Sequence, residues 1–347
     1  MLAAILPLIL LLPSYAQAEA GWVRYMKGAL PIILNKAPGE YGIYIKSLKD
    51  SSEFGHNENK TLYYASTIKM FVLLEVMFAE YSGKLDLSSL HTISEVDLRD
   101  GSALSKKLKA GDKIRLHELV ENMIMHSDNL ATDILIGKVG LSEINQRIQS
   151  LSNEQIGPIT TLLRVRQEMY GNMNEKGKDL SNLDYFNIGK VFNTKYRLNT
   201  FAKLVGKKPG TYTTTSWYKA TEKYYQAGMN SGSVKAYAGI LEKLATPSEI
   251  PRPVADNVFK YLYKTQTGKS RIRKSLPKNI DWAHKTGTQT RRVCDMGVAG
   301  PNKGKDVIIT ICAKDFGPTS AAEKQLARIS LALSRSKIFT DGNSGPP

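Results

Sequence analysis

Strand-like runs stand at both ends of this chain, and helical patterning fills the middle. Near the N-terminus, Tyr41-Gly42-Ile43-Tyr44-Ile45 is rich in aromatic and β-branched residues, the residue types that favour strands. Near the C-terminus, residues 292–298 and 306–312 form two more such runs. The turn-rich Gly300-Pro301-Asn302-Lys303-Gly304-Lys305 joins them, so they read as a hairpin. Residues 70–80 are apolar nearly all round, as in a helix buried on most sides. Further helical patterns cover 116–137 (interrupted at His126-Ser127-Asp128-Asn129), 233–244 and 254–264, and two others flank the strands at 19–37 and 320–336. Polar residues 49–60 read as turns. A sheet can then form only if the two ends of the chain meet. The expectation is a two-part α/β fold: an antiparallel sheet formed by both termini and flanked by helices, with an all-helical domain inserted. The sheet part spans 19–67 and 265–340, the helical part 68–264, and Gly- and Pro-rich 341–347 form a flexible tail.

Residues 2–12 are apolar throughout and lead into Ala16-Gln17-Ala18, the small-x-small pattern of a signal-peptidase site. No Lys or Arg precedes the run. Residues 1–18 are expected to be a signal peptide, which places the mature protein in the periplasm or outside the cell. No apolar run reaches about 18 residues, so no membrane-spanning helix is expected. Lys and Arg total 48 against 32 Asp and Glu, a net charge of +16. Such a surface attracts anionic material such as nucleic acid, anionic lipid or cell wall, and for an exported protein a solvated basic surface, open to anionic cell wall, is preferred to one that binds nucleic acid. Both cysteines lie in the C-terminal hairpin. With Lys303 at its centre Cys294 faces Cys312, and directly opposed residues sit near disulfide distance. A one-residue slip would send them to opposite faces as two buried thiols; both outcomes stay open.

Three short motifs carry the chemistry. Ser66-Thr67-Ile68-Lys69 is S-x-x-K, which on a helix puts the ammonium beside the hydroxyl; a neutral Lys there can take the Ser proton. The pattern recurs at Ser216-Trp217-Tyr218-Lys219 and Ser334-Arg335-Ser336-Lys337, but only Ser66 sits where a short strand turns into a buried helix. In Ser127-Asp128-Asn129 a hydroxyl can relay a proton and an amide can hold a carbonyl, although these residues also favour helix starts. Lys285-Thr286-Gly287, followed by Thr288, lies on a strand and suits a carboxylate-bearing substrate, with Gly287 allowing close backbone approach.

S-x-x-K, S-D-N and K-T-G in this order are the signature of the penicillin-recognising serine enzymes, and the chain resembles the class A serine β-lactamases among them. The likeness extends through Tyr64–Lys69, Met123–Ala131 and Thr265–Arg273. It implies that Ser66 is the acylated nucleophile, Lys69 a proton acceptor and Ser127 the donor to the leaving lactam nitrogen. Asn129 would hold the substrate's side-chain amide. Lys285, Thr286 and Thr288 would bind its carboxylate, and the backbone N–H groups of Ser66 and Thr288 would form the oxyanion hole. Arg166-Gln167-Glu168-Met169-Tyr170-Gly171-Asn172 matches the family's R-x-E-x-x-x-N, making Glu168 the base for the deacylating water and Asn172 its helper; Glu175 is a nearby competitor.

Two departures stand out. An insertion at about 173–229 carries ten Lys or Arg against four Asp or Glu from 173 to 226, interleaved with aromatics. It reads as a small helical appendage with its own core, or as a surface that grips an anionic polymer or covers the cleft. Cys294 also stands where many class A enzymes carry a carboxylate-binding Arg; Arg291 or Arg292 is the candidate replacement. His117-Glu118-Leu119-Val120-Glu121 lacks the second His of a zinc helix, no other spacing suits a metal, and no Gly-rich phosphate loop occurs, so no metal or other cofactor is expected. The expected partner is a small β-lactam, met by a monomer that binds no nucleic acid and does not insert stably into a membrane. The rival readings are a D-alanyl-D-alanine carboxypeptidase or transpeptidase and a non-turnover cell-wall-binding module.

Overall fold

The computed structural model describes residues 18–191, 193–300 and 306–340. Five strands form one antiparallel sheet in the order Glu53–His56, Glu40–Ser47, Val307–Lys314, Arg292–Ala299, Trp282–Gln289. The N-terminal strands pair directly with the C-terminal ones, as the distribution of strand-like runs requires. The turn reading of 49–60 is corrected in part, because Glu53–His56 is the far edge strand. Only Phe54 is buried there, so a solvated edge with Gly and charged residues shows no apolar alternation.

The sheet is buried on both faces, which explains the nearly unbroken apolar runs. On one face Ile43, Ile45, Ile309 and Ile311 pack with Trp22, Met26 and Leu30 of helix Gly21–Leu34 and with Leu326 and Leu333 of helix Thr319–Arg335. On the other, Tyr44, Met296, Val298 and Ile308 meet the helical part. Its centre is helix Lys69–Tyr81, buried at ten of its 13 positions. Around that helix pack Leu116–Met125, Asn129–Val139, Leu141–Ser152, Val234–Ala245 and Arg252–Leu262. Each large apolar side chain so buried contributes about 1.5–3 kcal/mol.

The inserted segment folds into helices Asn182–Lys190, Thr194–Leu204 and Thr214–Gln226. Most of its aromatics face inward. Tyr185, Phe201, Trp217, Tyr224 and Tyr225 share a core with Val165, Met169 and Tyr170, and that core reaches Tyr63 and Ala65 next to Ser66.

Cys294 pairs directly with Cys312 across neighbouring strands, and their sulfurs are bonded at 2.06 Å. Peptide mapping of non-reduced protein should recover the linked pair, and two free thiols there would remove it. The turn at 301–305, the tail at 341–347 and all of the expected signal segment but Ala18 lie outside the described residues.

Candidate active site

The turn that carries Ser66 lies against the edge strand Trp282–Gln289. A Cβ on Gly287 would collide with the carbonyl of Tyr64 and lie 3.2 Å from the Ser66 nitrogen. Gly287 therefore makes room for the Ser66 turn. Ala65–Ile68 is one turn of 3-10 helix that runs straight into helix Lys69–Tyr81. Positions i and i+3 eclipse in such a turn, so Lys69 stands in line with Ser66. Ala65 takes a left-handed φ of 51° and Ser127 one of 58°, a conformation that costs non-glycine residues energy and clusters at functional sites.

Helix Leu116–Met125 stops at His126, and Asp128 caps the next helix by accepting from the Ala131 nitrogen at 3.0 Å. Buried Asp128 also accepts from Ser102 Oγ and the Leu104 nitrogen. The middle residue of S-D-N is thus structural, and its two neighbours face the cleft.

Lys69 is wholly buried. Its Nζ donates to Asn129 Oδ1 at 2.8 Å, to Ser127 Oγ at 3.2 Å and to the Ser127 carbonyl. Asn129 Nδ2 in turn donates to the Asp100 carbonyl at 2.8 Å. Buried Lys285 approaches from the sheet, its Nζ donating to Ser127 Oγ at 3.1 Å and to the Thr286 carbonyl at 3.0 Å. One hydroxyl thus sits between two lysines. Burial lowers the Lys69 pKa to about 7 even though Asp128 and Asp133 oppose it. Burial, with Lys69 and Arg271 nearby, pushes Lys285 well below the usual lysine range.

Ser127 and Asn129 open on a cleft of about 480 Å3, lined also by Ser66, Thr286 and Thr288 among others, and the two lysines are buried behind them. Arg271 also lines it, a residue to which the sequence reading assigned no role. Its Nη1 donates to the carbonyls of Gly287 (3.1 Å) and Cys294 (2.8 Å), its Nη2 to Thr288 Oγ1 (2.6 Å), and Glu323 pairs with its Nε at 3.1 Å. Neither proposed replacement arginine lines this cleft. Arg292 is held by Glu222 and Asp315, and Arg291 lies near Asp315 and the Tyr218 ring. Arg292 shares a strand face with Cys294 but is taken up by Glu222 and Asp315, whereas Arg271 arrives from a segment that precedes the motif by 14 residues and carries no motif of its own.

The structure does not bring Glu168, Asn172 or Glu175 to the cleft wall. Glu168 lies on helix Leu162–Gly171 and pairs with Arg164 one turn back, at 2.5 Å. Asn172 Nδ2 donates to the Ala220 carbonyl at 3.1 Å, fastening the insertion. Glu175 is exposed on the short turn Glu175–Lys178. The face that helix Leu162–Gly171 turns to the cleft carries Leu162, Val165 and Arg166. Arg166 is spent on Asp100, at 2.7 Å. Asp133 fixes the start of this helix by accepting from the nitrogens of Leu162 (2.7 Å) and Leu163 (3.0 Å). A helix repeats every 3.6 residues, so a carboxylate two positions beyond Arg166 points elsewhere.

The model of the beta-lactamase enzyme family matches residues 26–336. The chain belongs to that family. The BRO-1 β-lactamase of Moraxella catarrhalis is 28% identical over 189 residues, 53% of this chain and 59% of that protein's length. The extended-spectrum β-lactamase PER-1 of Pseudomonas aeruginosa is 21% identical over 271 residues, 75% of this chain and 70% of that protein. Among solved structures, a class A β-lactamase of Bacteroides cellulosilyticus superposes with a TM-score of 0.67 at 18% identity, covering 92% of this chain and 99% of that one. A β-lactamase of Xanthomonas campestris gives 0.66 at 15%, covering 90% and 98%. The family's fold, a sheet closed by both termini with helices inserted, is the one found here.

Proposed function

We propose that this chain opens β-lactam rings through an acyl-enzyme on Ser66. The observation that carries the reading is the array at the cleft Ser66 lines: two buried lysines sharing the Ser127 hydroxyl. In the attack Ser66 Oγ bonds to the lactam carbonyl carbon and gives its proton to neutral Lys69. As the C–N bond breaks, Lys69 passes a proton through Ser127 to the departing nitrogen and is neutral again. Lys285 is the carboxylate anchor: a substrate's negative charge beside its Nζ favours the ammonium form that burial, Lys69 and Arg271 disfavour. Thr286, Thr288 and Arg271 complete that end. Asn129 holds the acylamino arm while fixing Lys69.

Release needs a base for water. Glu168 was expected in that role, but it is tied to Arg164, and we assign the role to Lys69, free again after acylation. It takes the water's proton and returns it to Ser66 Oγ as the ester collapses. Replacing Glu168→Gln should change steady-state turnover by less than about twofold, and a loss of about 10²-fold, typical of removing a general base, would return it to the catalytic set. Leu162→Glu should shorten the acyl-enzyme lifetime by about tenfold or more, since it puts a carboxylate on the cleft wall; an unchanged lifetime would show that Leu162 does not face the acyl carbonyl.

The apolar Leu162 and Val165 favour a second reading, a D-alanyl-D-alanine peptidase that β-lactams block by slow release. An exported location suits either, and there the bonded cysteines would persist. A chromogenic cephalosporin and benzylpenicillin, followed by product and by intact mass, separate the two. Many turnovers with little adduct support the hydrolase. One equivalent of stable adduct without turnover supports the peptidase. Neither product nor adduct removes both.

A further inference from the structure

The cleft does not end at the third-motif strand. A second cavity of about 490 Å3 begins where the first stops, and Thr288 and Gln289 line both. One wall belongs to the inserted helices, through Arg197 and Trp217. The other is the end of the sheet, through Thr290 and Arg291, and the segment that leads into helix Thr319–Arg335. The insertion is fastened to the sheet here: Trp217 Nε1 donates to Thr290 Oγ1 at 3.3 Å, and Tyr225 Oη donates to the Thr290 carbonyl at 3.1 Å.

The charge along this run has one sign. Neither cavity has an Asp or Glu among its lining residues, whereas Arg166 and Arg271 line the first and Arg197 and Arg291 the second. The first two are neutralised by Asp100 and Glu323. The second two are not held in this way. Arg291 meets Asp315 only at 3.6 Å, with both side chains more than two-fifths exposed. Arg197 donates to the Val191 carbonyl at 3.1 Å, and among the described residues no carboxylate stands within ion-pair distance of it. Helix Thr319–Arg335 adds the positive end of its dipole at a start without a side-chain cap. A concave, acid-free wall with two weakly compensated guanidiniums concentrates anions, and guanidinium suits carboxylate in particular.

We propose that this groove is a subsite for a carboxylate-bearing extension of the acyl donor: the arm of a β-lactam that reaches past Thr288 ends between Arg197 and Arg291. The inference rests on acylation of Ser66. It gives the insertion a role in substrate choice, which its buried aromatic core alone would not.

The test uses two cephalosporins with one nucleus, one carrying a glutaryl acylamino arm and the other the matching glutaramide arm. The second-order acylation rate of the whole mature protein is followed by ring-opening absorbance and intact mass. The carboxylate arm should react about fivefold faster, the scale of one or two partly exposed ion pairs, and added salt should narrow the ratio. Arg197→Ala and Arg291→Ala should each bring the ratio toward one, and Arg197→Lys should keep most of it. Equal rates for both arms in the unaltered protein, with Ser66 acylated by each, overturn the groove and leave the proposed function standing. Acylation by neither arm overturns the function on which the groove rests. A ratio that survives both alanine variants places the selectivity elsewhere and also overturns the groove.

Discussion

Ser66→Ala takes up no β-lactam. Intact mass after prolonged incubation should show no adduct, with acylation slowed by at least about 10³-fold, the scale on which loss of a nucleophile is felt in acyl-transfer enzymes. The other two S-x-x-K serines cannot stand in. Ser216 closes the first turn of its helix, its Oγ donating to the Thr213 carbonyl at 2.8 Å. Ser334 Oγ donates to the Ser275 carbonyl at 2.7 Å on the far helix Thr319–Arg335. An adduct that persists in the variant would move the nucleophile, with Ser127 the first residue to map.

Lys69→Ala should slow acylation by about 10²–10⁴-fold, the usual range for a positioned general base, while Ser66 remains in place. The pH dependence distinguishes this loss from simple misfolding. Burial lowers the Lys69 pKa to about 7. Below that pH the ammonium carries the proton that Ser66 needs to shed, so acylation should fall as pH drops through 7. Above it the amine is free and the rate should level off. In Lys69→Ala that rising limb should vanish, leaving a slow and flatter profile. A variant that keeps the limb would show that it belongs to another group, and exposed His126 on the cleft rim would be the next to replace.

The residues legible in sequence are those whose chemistry depends on local spacing. Ser66 and Lys69 sit three apart on one turn, and Ser127 and Asn129 flank a capping Asp128. Lys285, Thr286 and Thr288 follow one another on one strand. Order along the chain was enough to gather them, because each motif is a rigid local unit. The sheet was legible for a similar reason: strands buried on both faces, such as Val307–Lys314, spell unbroken apolar runs, and only the polar edge Glu53–His56 escaped notice.

The carboxylates and arginines were another matter, because side-chain direction cannot be counted along the chain. R-x-E-x-x-x-N occurs at 166–172, yet helix phase turns Glu168 to Arg164 and gives its place on the cleft to Leu162 and Val165. Arg292 lies two residues from Cys294 on the same strand and still binds Glu222, whereas Arg271 crosses from another segment to Thr288.

The sequence by itself determined the family, the two-part fold and the motif residues that meet at one cleft, because periodicity and motif spacing are properties of neighbours. Tertiary structure alone decided which charges face the cleft, what Gly287 makes room for, and where the inserted helices extend the binding surface. Those are contacts between residues tens to hundreds of positions apart. They depend on helix phase, strand alternation and the closing of a sheet by both chain ends, none of which a local pattern encodes.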